Sequence, residues 1–126
     1  MPRIQAKPFD LFCAYHLGLN EKTEAEFFNM NTLSEAVGMG VDDLIRLMER
    51  FHIDAPTMRH VPFNVSKAHA DCQDLAMEGK KKEAVRLARK YFDAYIKLLK
   101  EFDENLDFET LDYDDFWAEG PDVTPK

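Results

Sequence analysis

Cysteine, serine and tryptophan are scarce in this chain, and long apolar runs are missing. Two cysteines, Cys13 and Cys72, are too few for a disulfide scaffold. They point to reduced thiols in a cytoplasmic setting. Ser34 and Ser66 are the only serines, and both suit helix-start positions better than catalysis. There is no Gly-x-Ser-x-Gly, no phosphate loop and no Gly-x-Gly-x-x-Gly, so neither an enzyme nor a cofactor is expected. No stretch approaches the roughly 18 consecutive apolar residues of a membrane-crossing helix. Asp10 breaks the stretch that follows the weakly basic start, so no signal peptide is expected. No segment alternates cleanly in the manner of a strand. The nearest, His60-Val61-Pro62-Phe63, is weakened by Pro62. Positive charge is also short, with 16 Lys and Arg against 24 Asp and Glu, a net charge of −8. That balance argues against a general nucleic-acid binder, which needs clustered cations to neutralise phosphate.

What is present is helical periodicity. At 126 residues and 45% hydrophobic content, the chain is long enough for one domain with a real core. Pro8-Phe9-Asp10 opens a first helix with Phe9, Phe12, Cys13, Tyr15 and Leu17 on its apolar side and Gly18 as its stop. Thr23-Glu24-Ala25-Glu26 has capping-box spacing and predicts a short turn or helix. Thr32 and Glu35 predict a capped helix carrying Leu33, Ala36 and Val37, ended by Gly38-Met39-Gly40. Asp42 or Asp43 then starts a helix with Leu44, Ile45, Leu47, Met48 and Phe51 facing inward. Asp54-Ala55-Pro56 begins a further short turn of helix. Asn64 caps a helix with Val65, Ala68, Cys72, Leu75 and Ala76 inside, and a long helix runs from Lys81 to Phe102 after the hinge Glu78-Gly79-Lys80. The wide apolar face of residues 84–102 is satisfied either within the fold or across a homodimer.

The charge is not spread evenly. Ten acids and one base lie between Glu101 and Lys126, a net charge of −9 for that stretch. Leu106, Phe108, Leu111, Tyr113, Phe116 and Trp117 are interspersed among the carboxylates. Acid alternating with large apolar side chains suits docking onto a surface that is partly basic and partly greasy. The chain's only tryptophan is here, and tryptophan is enriched at binding hot spots. A last short helix is expected from Thr110 to Ala118.

Residues 33–53, Leu33 through Ile53, resemble a helix-turn-helix. Leu33 and Ser34 take its apolar and small positions, Gly38 its turn glycine, Met39 the apolar residue that follows, and Leu44 and Leu47 its buried positions. The spacing is also similar to the N-terminal helical modules of bacterial translation initiation factor 2. The resemblance implies that the Asp42–Phe51 helix is the recognition helix. The start of such a helix meets phosphates and base edges in DNA readers. Here that start is Asp42-Asp43, and only Arg46 and Arg50 supply positive charge. Across its length, through Tyr15-His16-Leu17-Gly18-Leu19, Phe28-Asn29-Met30-Asn31 and Phe63-Asn64-Val65-Ser66-Lys67-Ala68, the chain resembles small cytoplasmic proteins of deltaproteobacteria.

Two Cys/His pairs, Cys13 with His16 and His69 with Cys72, each place both side chains on one helix face. Meeting, they would form a Cys₂His₂ zinc site; buried structural cysteines are the simpler reading, and no metal is expected. Glu49 and His52 have the spacing of a di-iron motif, but a second copy is missing. Lys82, Arg86, Arg89 and Lys90 make a basic patch on the long helix. It is a solvated face, a grip for an acidic partner, or a receptor for the chain's own tail.

Together these features describe an all-α single domain. A helix-turn-helix-like unit (32–53) packs on a helical hairpin (64–102) within residues 1–102, and an acidic-aromatic tail (103–126) follows. The expected function is that of a non-catalytic regulatory adaptor that binds another protein. Its expected contacts are Tyr113, Asp114, Asp115, Phe116 and Trp117 in the tail and Arg46 and Arg50 on the unit. The alternative is a helix-turn-helix DNA-binding transcriptional regulator.

Overall fold

In the computed structural model, residues 2–102 are described. The acidic tail, with the helix expected from Thr110 to Ala118, lies outside them. The described residues form six helices: α1 (Pro8–Leu17), α2 (Met30–Val37), α3 (Val41–Arg50), α4 (Ala55–His60), α5 (Val65–Met77) and α6 (Lys81–Phe102). The only β contact among the described residues is an isolated antiparallel bridge between Leu19 and Ala25. No helix among them is long and apolar enough to cross a membrane.

Helix ends follow side-chain chemistry. Pro8 stands in the first turn of α1, where its missing N–H leaves no helical bond unmade. Gly18 ends α1 in the left-handed region at φ 66°, and its N–H reaches the Cys13 carbonyl. A side chain there would also collide, because a Cβ on Gly18 would lie 2.7 Å from Gln73 Nε2. That amide donates to the carbonyls of Leu17 and Gly18 at 2.9 and 2.7 Å, so the end of α1 is held onto α5. Helix α2 starts earlier than Thr32. Asn29 accepts from the Thr32 N–H at 2.8 Å, and the Asn29 N–H donates to Thr32 Oγ1 at 2.9 Å. This reciprocal box makes Asn29 the cap and moves Thr32 inside the first turn.

The expected turn or helix at Thr23–Glu26 is replaced by a loop. The Asn20 side chain accepts from the N–H groups of Lys22 and Glu24, both at 2.9 Å, and draws the backbone into a turn. Thr23 is in the left-handed region at φ 57°. Glu26 turns away from Thr23 and bonds to Arg3 and Asn20. The capping-box spacing is therefore present without the box.

Helices α5 and α6, joined through Glu78, Gly79 and Lys80, make the most extensive helix pairing. Helix α2 pairs with α3, and α1 packs on α5, α6 and α2. Thus α1 lies between the α2–α3 pair and the α5–α6 pair and links them. At the heart of the core Phe12 packs tilted on Phe92 at 5.0 Å and stacks on Tyr95 at 5.9 Å, while Phe63 meets Tyr95 edge-on at 5.4 Å. Leu11, Leu17, Leu33, Leu44, Ile53 and Leu99 are fully enclosed around this cluster. Burying each such side chain contributes about 1.5–3 kcal/mol. The wide face of α6 is used within the chain: Ala84, Ala88, Phe92, Tyr95, Ile96 and Leu99 are buried, while Phe102 at its end is exposed.

Candidate functional site

Helix α3 presents the first candidate surface. Its buried positions, Leu44 and Met48, repeat at i, i+4, and Phe51 continues the row one turn on. Ile45, expected to face inward, stands about 100° around the helix from Leu44 and is 37% exposed. It opens onto a cleft of about 180 Å³ lined by Tyr15 of α1, Met30 of α2, Met48 of α3, and Ala55 and Pro56 of α4. Asp54 at its edge caps α4 by accepting from the Thr57 N–H and hydroxyl at 3.3 and 2.8 Å. Arg50 is exposed on the same helix. Arg46 is exposed too and bonds back to Asp43 at 2.5 Å. The helix begins with Asp42 and Asp43 exposed and without a side-chain cap at Gly40. Carboxylates at that end repel a phosphate backbone.

A larger cleft of about 310 Å³ was not foreseen from the sequence. It lies between the N-terminal segment, α1, the 19–23 loop and α6, with Ile4, Phe9, Leu19, Val85 and Ala88 among its apolar walls. The N-terminal segment is laid down there by the N–H groups of Arg3 and Ile4, which both donate to the Ala36 carbonyl. Arg3 bonds to Glu21 and Glu26 at 3.0 and 2.7 Å and holds both carboxyls below their usual range. Deeper in the cleft, burial pushes the Asp10 carboxyl up, against the opposing charges of Lys7 and Arg89. These contacts of Arg3 and Ile4 join residues far apart in sequence, and no local sequence pattern encodes them.

The basic patch on α6 divides. Lys82, Arg86 and Lys90 are exposed, as expected of a solvated face. Arg89 turns inward: its guanidinium carbon lies 4.3 Å from the centre of the Phe9 ring. Burial lowers its pKa, while nearby Asp93, Cys13 and Asp10 act in the opposite direction. Arg89 therefore braces α6 against α1 and belongs to the packing between them.

The two Cys/His pairs lie on packed helices, α1 and α5, yet their ring nitrogens turn to backbone. His16 Nε2 is 2.6 Å from the Ile53 carbonyl, and His69 Nδ1 is 3.3 Å from that of His16. Burial raises the Cys13 thiol well above its ordinary value and the Cys72 thiol to about 11. Both sulfurs are held as neutral thiols at neutral pH, the unreactive state. Among the described residues no group of three or more His, Cys, Asp or Glu is placed to hold a metal ion.

Of the expected contact residues, Arg46 and Arg50 are together on the exposed side of α3. Tyr113, Asp114, Asp115, Phe116 and Trp117 lie outside the described residues. Comparisons with family models, with curated proteins and with solved structures found no match to this chain.

Proposed function

We propose that this protein is a non-catalytic adaptor that binds a protein partner through the outer face of α3 and the acidic-aromatic tail. The observation that supports this best is Ile45. A β-branched apolar side chain is exposed at the mouth of a cleft walled by Tyr15, Met30, Ala55 and Pro56, with Arg46 and Arg50 beside it. Apolar centre and charged rim are the arrangement of a protein contact. In this reading α2, the Gly38 turn and α3 act as a helix-turn-helix-like unit whose second helix meets protein. The exposed Asp42 and Asp43 at the start of α3 speak against its use on DNA.

The test is capture from nuclease-treated lysate by the tagged full chain, by Ile45→Glu and by Trp117→Ala. The expected outcome is one protein retained by the wild-type chain and lost by both variants. Recovery of nucleic acid alone, before nuclease and not after, would replace the adaptor with a DNA binder.

A further inference from the structure

We infer that the cleft beside α3 receives a basic amphipathic helix of the partner. One large apolar side chain of that helix enters beside Ile45, and its lysines or arginines meet Asp42 and Glu49. This rests on the proposed contact at α3 and adds its chemistry.

The charge at the cleft is of one sign. Of the described residues that line it, only Glu49 and Asp54 are charged, and both are acids. Asp42 joins them from one turn before Ile45. Arg46 and Arg50 stand about 100° and about 140° around α3 from Ile45, whereas Met48, a wall of the cleft, lies about 60° to the other side. The two arginines therefore point away from the opening, and Arg46 is bound to Asp43. Asp42 and Glu49 are exposed, and neither has a salt bridge among the described residues. A partner's cations can reach them without breaking an internal pair. The net charge of −8 favours encounter with basic surfaces over the whole molecule.

The apolar part of the cleft suits a side chain. Its volume of about 180 Å³ is below the roughly 300 Å³ at which small-molecule pockets begin. Met30 and Met48 are two of its walls. Methionine is unbranched and polarisable, so these walls adapt to the leucine, methionine or phenylalanine they meet.

Spacing points to a helix. Asp42 and Glu49 stand at i−3 and i+4 from Ile45, about 10.5 Å apart along the axis. A partner helix with bases three before and four after its apolar residue carries them at the same interval. Laid along α3, it closes both charge pairs as its apolar side chain enters the cleft. Phosphate-bearing partners meet the same carboxylates with repulsion.

The test is a ¹⁵N chemical-shift titration of the full chain with three alanine-based helical peptides. The first carries a central leucine with lysines at i−3 and i+4. The second has glutamates in place of the lysines, and the third has alanine in place of the leucine. The first is expected to shift the amides of Ile45, Glu49 and Ala55 and to bind about tenfold more tightly than either of the others. In Asp42→Lys with Glu49→Lys, both exposed positions, the preference is expected to turn toward the glutamate peptide, a gain that misfolding does not mimic. The ranking in the wild-type chain needs no substitution. Equal binding of the leucine and alanine peptides, shifts confined to residues away from α3 and α4, or an unaltered preference in the double variant would each overturn the proposal. Preference of the wild-type chain for the glutamate peptide would overturn it in favour of an acidic partner met by Arg46 and Arg50. Shifts on α3 that grow with protein concentration alone would assign the face to a second copy of this chain. Peptide ranking and lysate capture are scored separately. A captured protein lost by Ile45→Glu, with no peptide preference, keeps the adaptor and removes the basic helix; peptide preference with no captured protein does the reverse.

Discussion

The Tyr95 hydroxyl of α6 donates a 2.6 Å hydrogen bond to the carbonyl of His52, a residue in the left-handed region at φ 62° just beyond α3. The turn around His52 is a Schellman motif: the Ile53 N–H reaches the Met48 carbonyl, and the His52 N–H that of Glu49. Glycine is the usual residue at such a position. The bond from Tyr95 fastens this non-glycine turn to the longest helix, and so fixes how α3 and its exposed face are carried by the rest of the fold. Tyr95 is fully enclosed, so no water substitutes for its hydroxyl.

Removing that donor should therefore destabilise the whole domain. Tyr95→Phe keeps the ring in the cluster of Phe12, Phe63 and Phe92 and removes the donor to His52. The expected loss is about 1–3 kcal/mol in urea unfolding, the cost of a buried acceptor deprived of its donor. An unchanged midpoint would show that the bond contributes nothing net.

The cap of α2 gives a second test, one that separates two readings of the same segment. Asn29→Ala removes the box with Thr32 and should cost about 1 kcal/mol. Glu35→Gln should change little, because Glu35 is exposed inside the helix rather than at its start. If Glu35→Gln proved the costlier change, the helix would begin at Thr32, as the sequence spacing suggested.

His16 sets a pH dependence. Burial is the main cause of its lowered pKa, and the hydrogen bond to Ile53 only partly opposes it. The folded state therefore prefers the neutral ring, while the unfolded chain takes up a proton near the ordinary value of 6.5. Stability is fully present above that value and falls as pH drops below it. Chemical denaturation between about pH 7.5 and about pH 5.5 should show this decline, and His16→Gln should flatten it. A profile that His16→Gln does not alter would assign the decline to other groups.

The hairpin of α5 and α6 was legible because long runs of helical spacing stood between strong punctuation, Asn64 at one end and Gly79 at the hinge. The stop of α1 at Gly18 and the start of α4 around Asp54-Ala55-Pro56 were legible for the same reason, since each carries a residue with a specific backbone role, glycine in one and proline in the other. The start of α2 was not, because Asn29 and Thr32 are both good caps and only the completed box decides between them. Ile45 and Arg89 were misplaced because periodicity names a face but not its margins. One step around α3 turned an apolar side chain outward, and the ring of Phe9 drew a cation inward. The N-terminal cleft lies where Arg3 meets Glu21 and Glu26 and where its backbone meets Ala36, long-range contacts that helical periodicity does not report.

The proposed contact is the face of α3 around Ile45, and calorimetric affinity of the purified captured partner for the full chain and for Ile45→Glu, each at low and at high salt, reads it out. The expected loss for Ile45→Glu is about tenfold or more, as for an apolar hot spot, with a modest salt dependence for the wild-type chain. Equal affinity for the two chains would rule out that face as the contact.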